Sequence, residues 1–249
     1  MKISIITVCL NSEKTIEKTI KSIINQDYEE FEFIIIDGGS TDNTLKIINQ
    51  YKQCITYVVS EKDMGIYDAI NKGIKISSGD VISLVHSDDY FYNNSVLSNV
   101  VLKFKENLNL DCLIGATLIV KLNSTKVVRK YSANFFKKWM LYFGFSPPHP
   151  SSFFKKKIYN DCGLYNISYK IAGDFEFFLR TIIKNKIVIN TTDSNYIIMQ
   201  EGGVSTRSVK NNFISSNEIL KSFKENKLYS NYFFVSLRFP IKLIQFLLK

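Results

Sequence analysis

Strands and helices alternate strictly over about the first 90 residues, and this alternation limits the fold more than any other feature. Short runs rich in β-branched and apolar residues at 3–9, 31–36, 55–59 and 81–85 predict buried strands. Helical periodicity between them predicts helices. Such a chain folds into a parallel sheet with helices on both faces, and its ligands bind at the carboxyl ends of the strands.

Polar side chains follow the predicted strands at those carboxyl ends: Asn11, Asp37, the 61–63 segment, and the Asp88–Asp89 pair. Loops are polar in general, and this explains part of the clustering of polar residues at the strand ends. A ligand site at these ends would explain the rest. Beyond residue 110 we predict a hairpin over 112–120 and 127–128, a rigid Pro-rich loop at 147–150 and a short strand at 151–154. A helix over 175–183 and two strands at 187–189 and 197–199 follow.

The formal net charge of +9 predicts phosphate-bearing partners, such as a nucleotide or an anionic lipid. Lysines are scattered and no nucleic-acid-binding motif is present, so we predict that nucleic acid is not a partner. The four cysteines are far apart and have no histidine at metal-ligand spacing. They indicate reduced thiols in a cytosolic protein, and no signal peptide is recognisable at residues 1–13.

The last segment of the chain, residues 232–249, is rich in Phe, Leu and Ile but is interrupted by Arg238, Pro240 and Lys242. These interruptions argue against a spanning helix, which needs roughly 20 apolar residues. Two interpretations stay open: an amphipathic segment at a membrane interface, and a helix packed on the core of the protein. The basic charge favours the membrane.

Four motifs in order resemble those of family 2 glycosyltransferases, which have the GT-A α/β fold. They are residues 3–8 with Asn11, residues 33–42, residues 60–73, and Ser87-Asp88-Asp89. The third motif is similar to a subgroup that acts in bacterial O-antigen and exopolysaccharide synthesis. The resemblance covers residues 1–205. His86 stands where the family often has the first acid of its metal-binding DxD motif, so a metal-binding role at position 86 is in doubt.

The resemblance implies a nucleotide-sugar site built by residues from these motifs. Asp37 would accept a hydrogen bond from the base, although an Asx turn is the alternative. Asn11 would contact the nucleotide or only cap a helix, and Lys72 would neutralise phosphate or be solvated. The complete set of predicted donor contacts is Thr7, Asn11, Asp37, Asp63, Asp68, Asn71, Lys72 and Ser87.

Asp88 and Asp89 are the predicted ligands of a Mg²⁺ or Mn²⁺ ion. Expelling a nucleoside diphosphate builds negative charge, and a hard cation held by carboxylates and phosphate oxygens offsets it. A turn pair preceding a helix is the alternative interpretation.

Asp174, in the acidic motif at 172–176, is the predicted catalytic base, with Glu176 in reserve. An inverting transferase must remove a proton from the acceptor hydroxyl, and a carboxylate within reach does so. Asp174 also suits the cap of the following helix. His149, Ser205 and Arg207 are predicted to contact the acceptor or the diphosphate, or else belong to a rigid loop and a surface turn.

The chain is therefore predicted to have a GT-A domain over 1–210 and a helical, membrane-associated tail over 211–249. The domain divides into a nucleotide-sugar half, 1–110, and an acceptor half, 111–210. The implied reaction is the transfer of a hexose or N-acetylhexosamine from a UDP-sugar to a lipid-diphosphate-linked saccharide at the cytoplasmic membrane surface. An inactive nucleotide-binding homologue is the alternative, and a homodimer is one open oligomeric state.

Overall fold

The structure is a computed structural model that describes residues 1–121, 124–201 and 209–238. Its strands are β1 Ile3–Cys9, β2 Phe31–Asp37, β3 Tyr57–Ser60, β4 Val81–Leu84, β5 Tyr90–Phe91, β6 Cys112–Val120, β7 Val127–Tyr131, β8 Ser152–Lys155 and β9 Ile189–Gln200. Its α-helices are α1 Ile16–Ile24, α2 Thr44–Gln50, α3 Ile66–Ile76, α4 Val96–Glu106, α5 Lys156–Cys162, α6 Gly173–Phe178, α7 Val209–Glu225 and α8 Tyr232–Ser236.

All nine strands form one sheet, in the order β3-β2-β1-β4-β8-β6-β9-β5, with β7 paired to β6. The first four strands run parallel to one another, which confirms the prediction from the alternating pattern. β8 runs antiparallel between β4 and β6 and so joins the strands of residues 1–110 to those of residues 111–210, the predicted nucleotide-sugar and acceptor halves. The result is a mixed α/β fold whose two halves share one continuous sheet.

Each face of the sheet carries its own apolar core. One core packs α1, α2 and α4 against the sheet through Ile16, Ile48 and Val100. The other packs α3, α5, α6 and α7, and it is rich in phenylalanine and tyrosine. Gly73 lets α3 approach the sheet closely, because a Cβ at this position would lie 2.5 Å from Cγ2 of Ile6.

Several predicted elements differ from the observed ones. Residues 52–54 form a 3₁₀ turn, so the third strand starts at Tyr57, two residues later than predicted. One strand, β9, replaces the two predicted at 187–189 and 197–199: it begins at Ile189, so residues 187–188 lie outside it, and it continues through 197–199, paired with β6. The helix predicted over 175–183 divides into α6 and a π-helical turn, Leu179–Lys184. We did not predict β5 or α5, whereas α7 falls almost entirely within the helical tail predicted over 211–249.

The described part of the C-terminal segment packs on the acceptor half. Ile219 and Phe223 of α7 and Val235 of α8 belong to the same apolar core as α6. α8 also contacts a 3₁₀ helix, Lys138–Phe143. No helix in the ranges 1–121, 124–201 and 209–238 is long and apolar enough to cross a bilayer. Residues 239–249 lie outside the described residues.

Candidate active site

The carboxyl ends of β2, β1 and β4 lie side by side and bring three loops together. Asn11 donates its backbone N–H to the hydroxyl oxygen of Ser40 at 2.8 Å and accepts the N–H of Thr41 at 2.9 Å. The hydroxyls of Ser12 and Ser87 are 2.8 Å apart. Ser12 therefore joins the loop after β1 to the loop after β4. The N-cap of α1 is Thr15, whose side chain makes no capping hydrogen bond. These contacts make the polar edge a single connected surface.

Asp37 is fully buried at the end of β2, where its carboxylate organises the following turn. It accepts hydrogen bonds from the backbone N–H groups of Gly39 and Ser40 and from the Ser60 hydroxyl at 2.7 Å. The Ser40 hydroxyl also donates to it. Burial acts to raise the pKa of Asp37, but these hydrogen bonds outweigh it and hold the pKa below its usual value. The structure thus shows Asp37 in the Asx-type turn, and its contact with a base stays a prediction.

Thr7 and Asn11 occupy different levels of the site. Thr7 is fully buried in the middle of the sheet, and its hydroxyl has no hydrogen-bond partner among the described residues. It therefore lies beneath the loops and not on their open surface. Asn11 is exposed, with a φ of 49°, a conformation that Asn tolerates better than most residues. Of the two, only Asn11 presents its side chain where a nucleotide could meet it.

Lys72 of α3 lies at the centre of an acidic cluster formed by Glu61, Asp63 and Asp68. Its Nζ is 2.6 Å from Oδ1 of Asp63, 2.8 Å from Oε1 of Glu61 and 3.5 Å from Oδ2 of Asp68. Hydrogen bonds to Asp63 and Glu61 raise the pKa of Lys72. The lysine is thus neither simply solvated nor a free phosphate ligand, because three carboxylates surround it. It holds the acidic loop against the edge of the site, where Oδ2 of Asp63 lies beside Gly38.

Asn71 and Tyr67, also on α3, connect the two halves of the protein. Asn71 is buried, and its amide exchanges two hydrogen bonds with the backbone of Tyr165, at 2.8 and 3.0 Å. Both ends of this amide are therefore occupied by the acceptor half, and the structure does not turn Asn71 toward the donor site. The Tyr67 hydroxyl donates to the carbonyl of Ile171 and accepts the N–H groups of Gly173 and Asp174.

Asp89 differs from the other buried acids of the site because, within the described residues, its carboxylate has neither a hydrogen-bond donor nor a cationic partner. It is 3% exposed, and no described residue donates a hydrogen bond to its carboxylate or places a cation within 4 Å of it. Burial first, and then the charge of neighbouring Asp88, raises the pKa of Asp89 well above its usual value. Asp88 is exposed beside it. A divalent cation between the two would relieve both effects, so the residues fit the predicted metal site.

The protein alone does not complete such a metal site. In the part of the chain that the structure describes, no three His, Cys, Asp or Glu side chains form a metal-binding group. A cation held by Asp88 and Asp89 would need further oxygen ligands, which a diphosphate and water supply.

His86 and His149 form a stacked pair between the acidic residues, with ring centroids 6.4 Å apart. His149 is held by the hydroxyl of Tyr165, 2.8 Å from its Nε2, and burial lowers its pKa to about 4. Burial, followed by repulsion from His149, lowers the pKa of His86 as well, while the charges of Asp88 and Asp174 oppose that shift. Asp88 and Asp174 thus act on one imidazole from the two halves of the protein.

Asp174 is the second residue of α6, and its loop is unusually well fixed. Its carboxylate accepts the N–H of Phe175 at 2.7 Å, but the N-cap of α6 is Ala172, so the alternative role of Asp174 as a helix cap is not observed. The carboxylate of Glu218, on α7, accepts the N–H groups of Lys170, Ile171 and Ala172 at 2.8 to 2.9 Å. With Tyr67, five consecutive N–H groups are bound by two distant side chains. Tyr67 and Glu218 therefore position Asp174, and sequence reasoning missed both.

A cavity of about 150 Å³ opens beside Asp174 on the acceptor side. Its wall includes Tyr131 and Ser146 from one side and Arg238, a buried residue just after α8, from the other. Glu176 does not line it, because that carboxylate is buried in a two-bond ion pair with Arg180 and accepts a further bond from Asn226. Glu176 is therefore a structural residue. Ser205 and Arg207 lie outside the described residues.

Comparisons with known proteins bear on the family and the fold of the chain. A family model described as "Glycosyl transferase family 2" matches residues 4–176. An uncharacterized glycosyltransferase of Mycobacterium tuberculosis is 32% identical over 189 residues, which are 73% of this chain and 69% of the relative.

Two solved structures show the same fold. S. aureus TarS 1–349 in complex with UDP-GlcNAc has a TM-score of 0.68 and 23% identity, covering 90% of this chain and 66% of that one. The mannosyltransferase PcManGT from Pyrobaculum calidifontis, in complex with GDP-Man and Mn²⁺, has a TM-score of 0.65 and 16% identity, with 90% and 63% covered. The chain thus spans just under two thirds of the length of these structures.

Proposed function

The chain belongs to glycosyl transferase family 2, and on this premise we propose that it transfers a hexose or N-acetylhexosamine from a UDP-sugar to a saccharide acceptor, with inversion at the anomeric carbon. The structure of TarS with UDP-GlcNAc supports the choice of donor, because the two proteins share the fold that surrounds it. We further propose that the acceptor is linked to a lipid diphosphate and serves surface polysaccharide synthesis.

The observation that carries the proposal is a ring contact between two elements. His86, from the loop that carries Asp88 and Asp89, stacks on His149, and His149 packs against Phe178 of α6, the helix that carries Asp174. Asp88 and Asp89 form an acidic pair at the end of β4, and Asp174 lines a cavity on the other side of the histidine pair. The charges of Asp88 and Asp174 both act on His86. We propose that a sugar whose diphosphate is held by Asp88 and Asp89 presents its anomeric carbon toward Asp174.

The reaction we propose is a single displacement. A bound Mg²⁺ or Mn²⁺ would offset the charge that develops on the departing diphosphate. Asp174 accepts the proton of the acceptor hydroxyl while that oxygen forms its bond to the anomeric carbon and the bond to the diphosphate breaks. Tyr67 and Glu218 keep the Asp174 loop fixed, so that little reorganisation is needed during the step.

The donor contacts remain part of the proposal. Asn11, Asp63 and Asp68 lie along the open edge of the site, and we propose that they contact the nucleotide or ribose. Thr7, Asp37 and Ser87 support this edge from below, and Asn71 and Lys72 fix its loops. His149, neutral near pH 7 because of its lowered pKa, is proposed to contact the acceptor or the diphosphate as a hydrogen-bond partner and not as a charge.

A nucleotide-sugar screen tests the proposal. Purified protein is incubated with UDP-glucose, UDP-GlcNAc, UDP-galactose and GDP-mannose, with a synthetic lipid-diphosphate saccharide, in Mn²⁺, Mg²⁺ or EDTA. We expect metal-dependent transfer from one of the UDP-sugars and release of UDP. If UDP binds but no donor is transferred or hydrolysed under any condition, the chain is an inactive nucleotide-binding homologue instead.

A further inference from the structure

A chain of aromatic rings lies on the surface of the acceptor half. We name it the aromatic patch; its members are Trp139 and Phe143 of the 3₁₀ helix and Phe233 and Phe234 of α8. Successive ring centroids are 5.7 Å apart for Trp139 and Phe143, 5.6 Å for Phe143 and Phe234, and 5.9 Å for Phe234 and Phe233. The outer members are largely open to solvent, with Trp139 57% exposed and Phe233 68% exposed.

The exposure of these rings is not explained by packing within the described protein. Val235 of α8 is buried in the core, so α8 already has an inward side. Phe233 and Phe234, the members of the aromatic patch on α8, are not part of this core, and the neighbouring Tyr232 is also 58% exposed. Single exposed apolar residues are ordinary on a protein surface, whereas a contiguous patch indicates a contact with a partner.

The charge around the aromatic patch indicates an anionic partner. Lys137 and Lys138, both exposed, directly precede Trp139. The two described stretches that carry the aromatic patch, residues 137–143 and residues 231–238, contain no Asp or Glu. A surface that carries only positive charges repels a second copy of itself, so homodimerisation through this patch is disfavoured. Aromatic rings beside lysines are the composition that suits the interface of an anionic bilayer.

The position of the aromatic patch links it to the cavity beside Asp174. The 3₁₀ helix leads directly into Gly144, Phe145 and Ser146, which line that cavity. On the other side, α8 leads into Arg238, which lines it as well. The same two elements thus carry aromatic rings on the outside and cavity wall on the inside. A substrate carried by a lipid would meet the cavity close to the bilayer surface.

We propose that the aromatic patch docks on an anionic lipid bilayer and holds the acceptor cavity at the membrane surface. This inference rests on the proposed function for its link to a lipid-borne acceptor. The binding of lipid itself does not depend on that function and is measured without any sugar transfer. Trp139 is the only tryptophan of the chain, so its fluorescence reports on the patch alone.

The test titrates the full-length protein with vesicles of phosphatidylglycerol and, separately, of phosphatidylcholine. We expect the emission of Trp139 to shift to shorter wavelength with phosphatidylglycerol and to be quenched when the acyl chains are brominated. Binding should weaken at high salt, because the lysines supply part of the attraction. Phosphatidylcholine vesicles should produce a much smaller shift.

Substitutions at two exposed residues, one inside the aromatic patch and one outside it, distinguish lipid binding by the patch from binding by the rest of the surface. Phe233→Ser, which leaves Trp139 in place, should reduce the partition coefficient on phosphatidylglycerol about tenfold, since burial of one phenylalanine is lost. Tyr57→Ser is the matched control: Tyr57 is 49% exposed and lies on the edge strand β3, and we expect less than a twofold change. Both variants should hydrolyse a UDP-sugar as the wild type does.

Three results would overturn the inference. One is emission of Trp139 that is unaffected by either vesicle. Another is a blue shift that appears with rising protein concentration alone, together with a doubled mass in light scattering, which would assign the patch to a second copy. The third is equal loss of binding in both variants. Vesicle binding by a protein that transfers no sugar would leave the docking surface standing while the proposed function fails.

Discussion

Two buried acids at opposite ends of the same sheet, Glu32 and Asp89, behave in opposite ways. Glu32 lies at the amino end, 2% exposed, and accepts hydrogen bonds from Ser4, from Ser78 and from the Gly79 N–H, with the Nζ of Lys2 at 2.8 Å. Burial acts to raise its pKa, but these partners lower it to about 2. Asp89 lies at the carboxyl end, 3% exposed, and its pKa is raised.

This difference in pKa indicates that the two ends of the sheet have different roles, one in stability and one in ligand binding. At the amino end every oxygen of a buried carboxylate is satisfied by the protein, so the charge stabilises the fold. At the carboxyl end the carboxylate of Asp89 is buried without such partners among the described residues, which costs stability, and we propose that a bound cation would offset this cost. The carboxyl ends of parallel strands are where ligands bind in this kind of fold. Substitutions at the two ends should therefore separate activity from stability.

The largest effect is expected from Asp174→Asn, on the acceptor side of the carboxyl end. The amide cannot accept the proton of the acceptor hydroxyl, so we expect kcat to fall about 10³-fold. UDP affinity, measured by calorimetry, should stay within twofold of the wild type. Turnover that is unchanged would remove Asp174 as the base, and Glu176→Gln, which alters a structural ion pair, serves as the comparison.

A smaller loss of transfer activity is expected when binding of the cation is weakened. Asp89→Asn should reduce transfer about 10²-fold, as EDTA should in the wild type. In the absence of metal the same substitution should raise the free energy of unfolding by about 1 kcal/mol, because a buried unpaired charge is removed. Urea unfolding with and without Mn²⁺ measures both effects. A variant that is less stable without metal would show that the protein itself already satisfies Asp89.

At the amino end, Glu32→Gln should change stability and leave chemistry alone. We expect a loss of about 2 kcal/mol in the free energy of unfolding, because hydrogen bonds to a buried charge are replaced by weaker ones. The kcat of the folded fraction should equal that of the wild type. A drop in kcat would contradict the separation of the two ends.

The pH dependence of stability should sharpen the same contrast. The pKa of Glu32 is about 2 in the folded protein and 4.5 in the unfolded chain, so its contribution is present above 4.5 and disappears as pH falls through about 2. In this window the slope is at most about 1.4 kcal/mol per pH unit. Glu32→Gln should flatten it. Asp89, with a raised pKa, acts in the opposite direction: without metal, stability falls as pH rises from its ordinary value of 3.8 through that raised value.

The smallest effect concerns the connection between the halves. Tyr67→Phe removes the hydroxyl that binds the N–H groups of Gly173 and Asp174 but keeps the ring packed on Gly173. We expect kcat to fall about fivefold with little change in the KM for the donor, because the Asp174 loop is less fixed. Thr181→Val, a buried hydroxyl change further along the same segment, is the control. A rise in donor KM alone would place Tyr67 in substrate binding instead.

Sequence reasoning was most accurate where local pattern decides structure. The parallel strands β1 to β4 and the helices between them follow from apolar periodicity, and the family was recognisable from four motifs at the strand ends. It was least accurate between residues 187 and 200, where two predicted strands are one. There the pairing with β6 extends the strand through polar residues such as Asp193, which carry no strand signal of their own.

The amino-acid sequence by itself determined the donor half: which segments are strands, and that polar residues collect at their carboxyl ends. These features depend on neighbours in the chain, so they can be read locally. Only the tertiary structure decided that Asn71 and Lys72 are bound by protein groups, that Tyr67 and Glu218 position Asp174, and that aromatic residues nearly a hundred positions apart form one surface. Such contacts depend on how the chain brings distant segments together, and no local pattern records that.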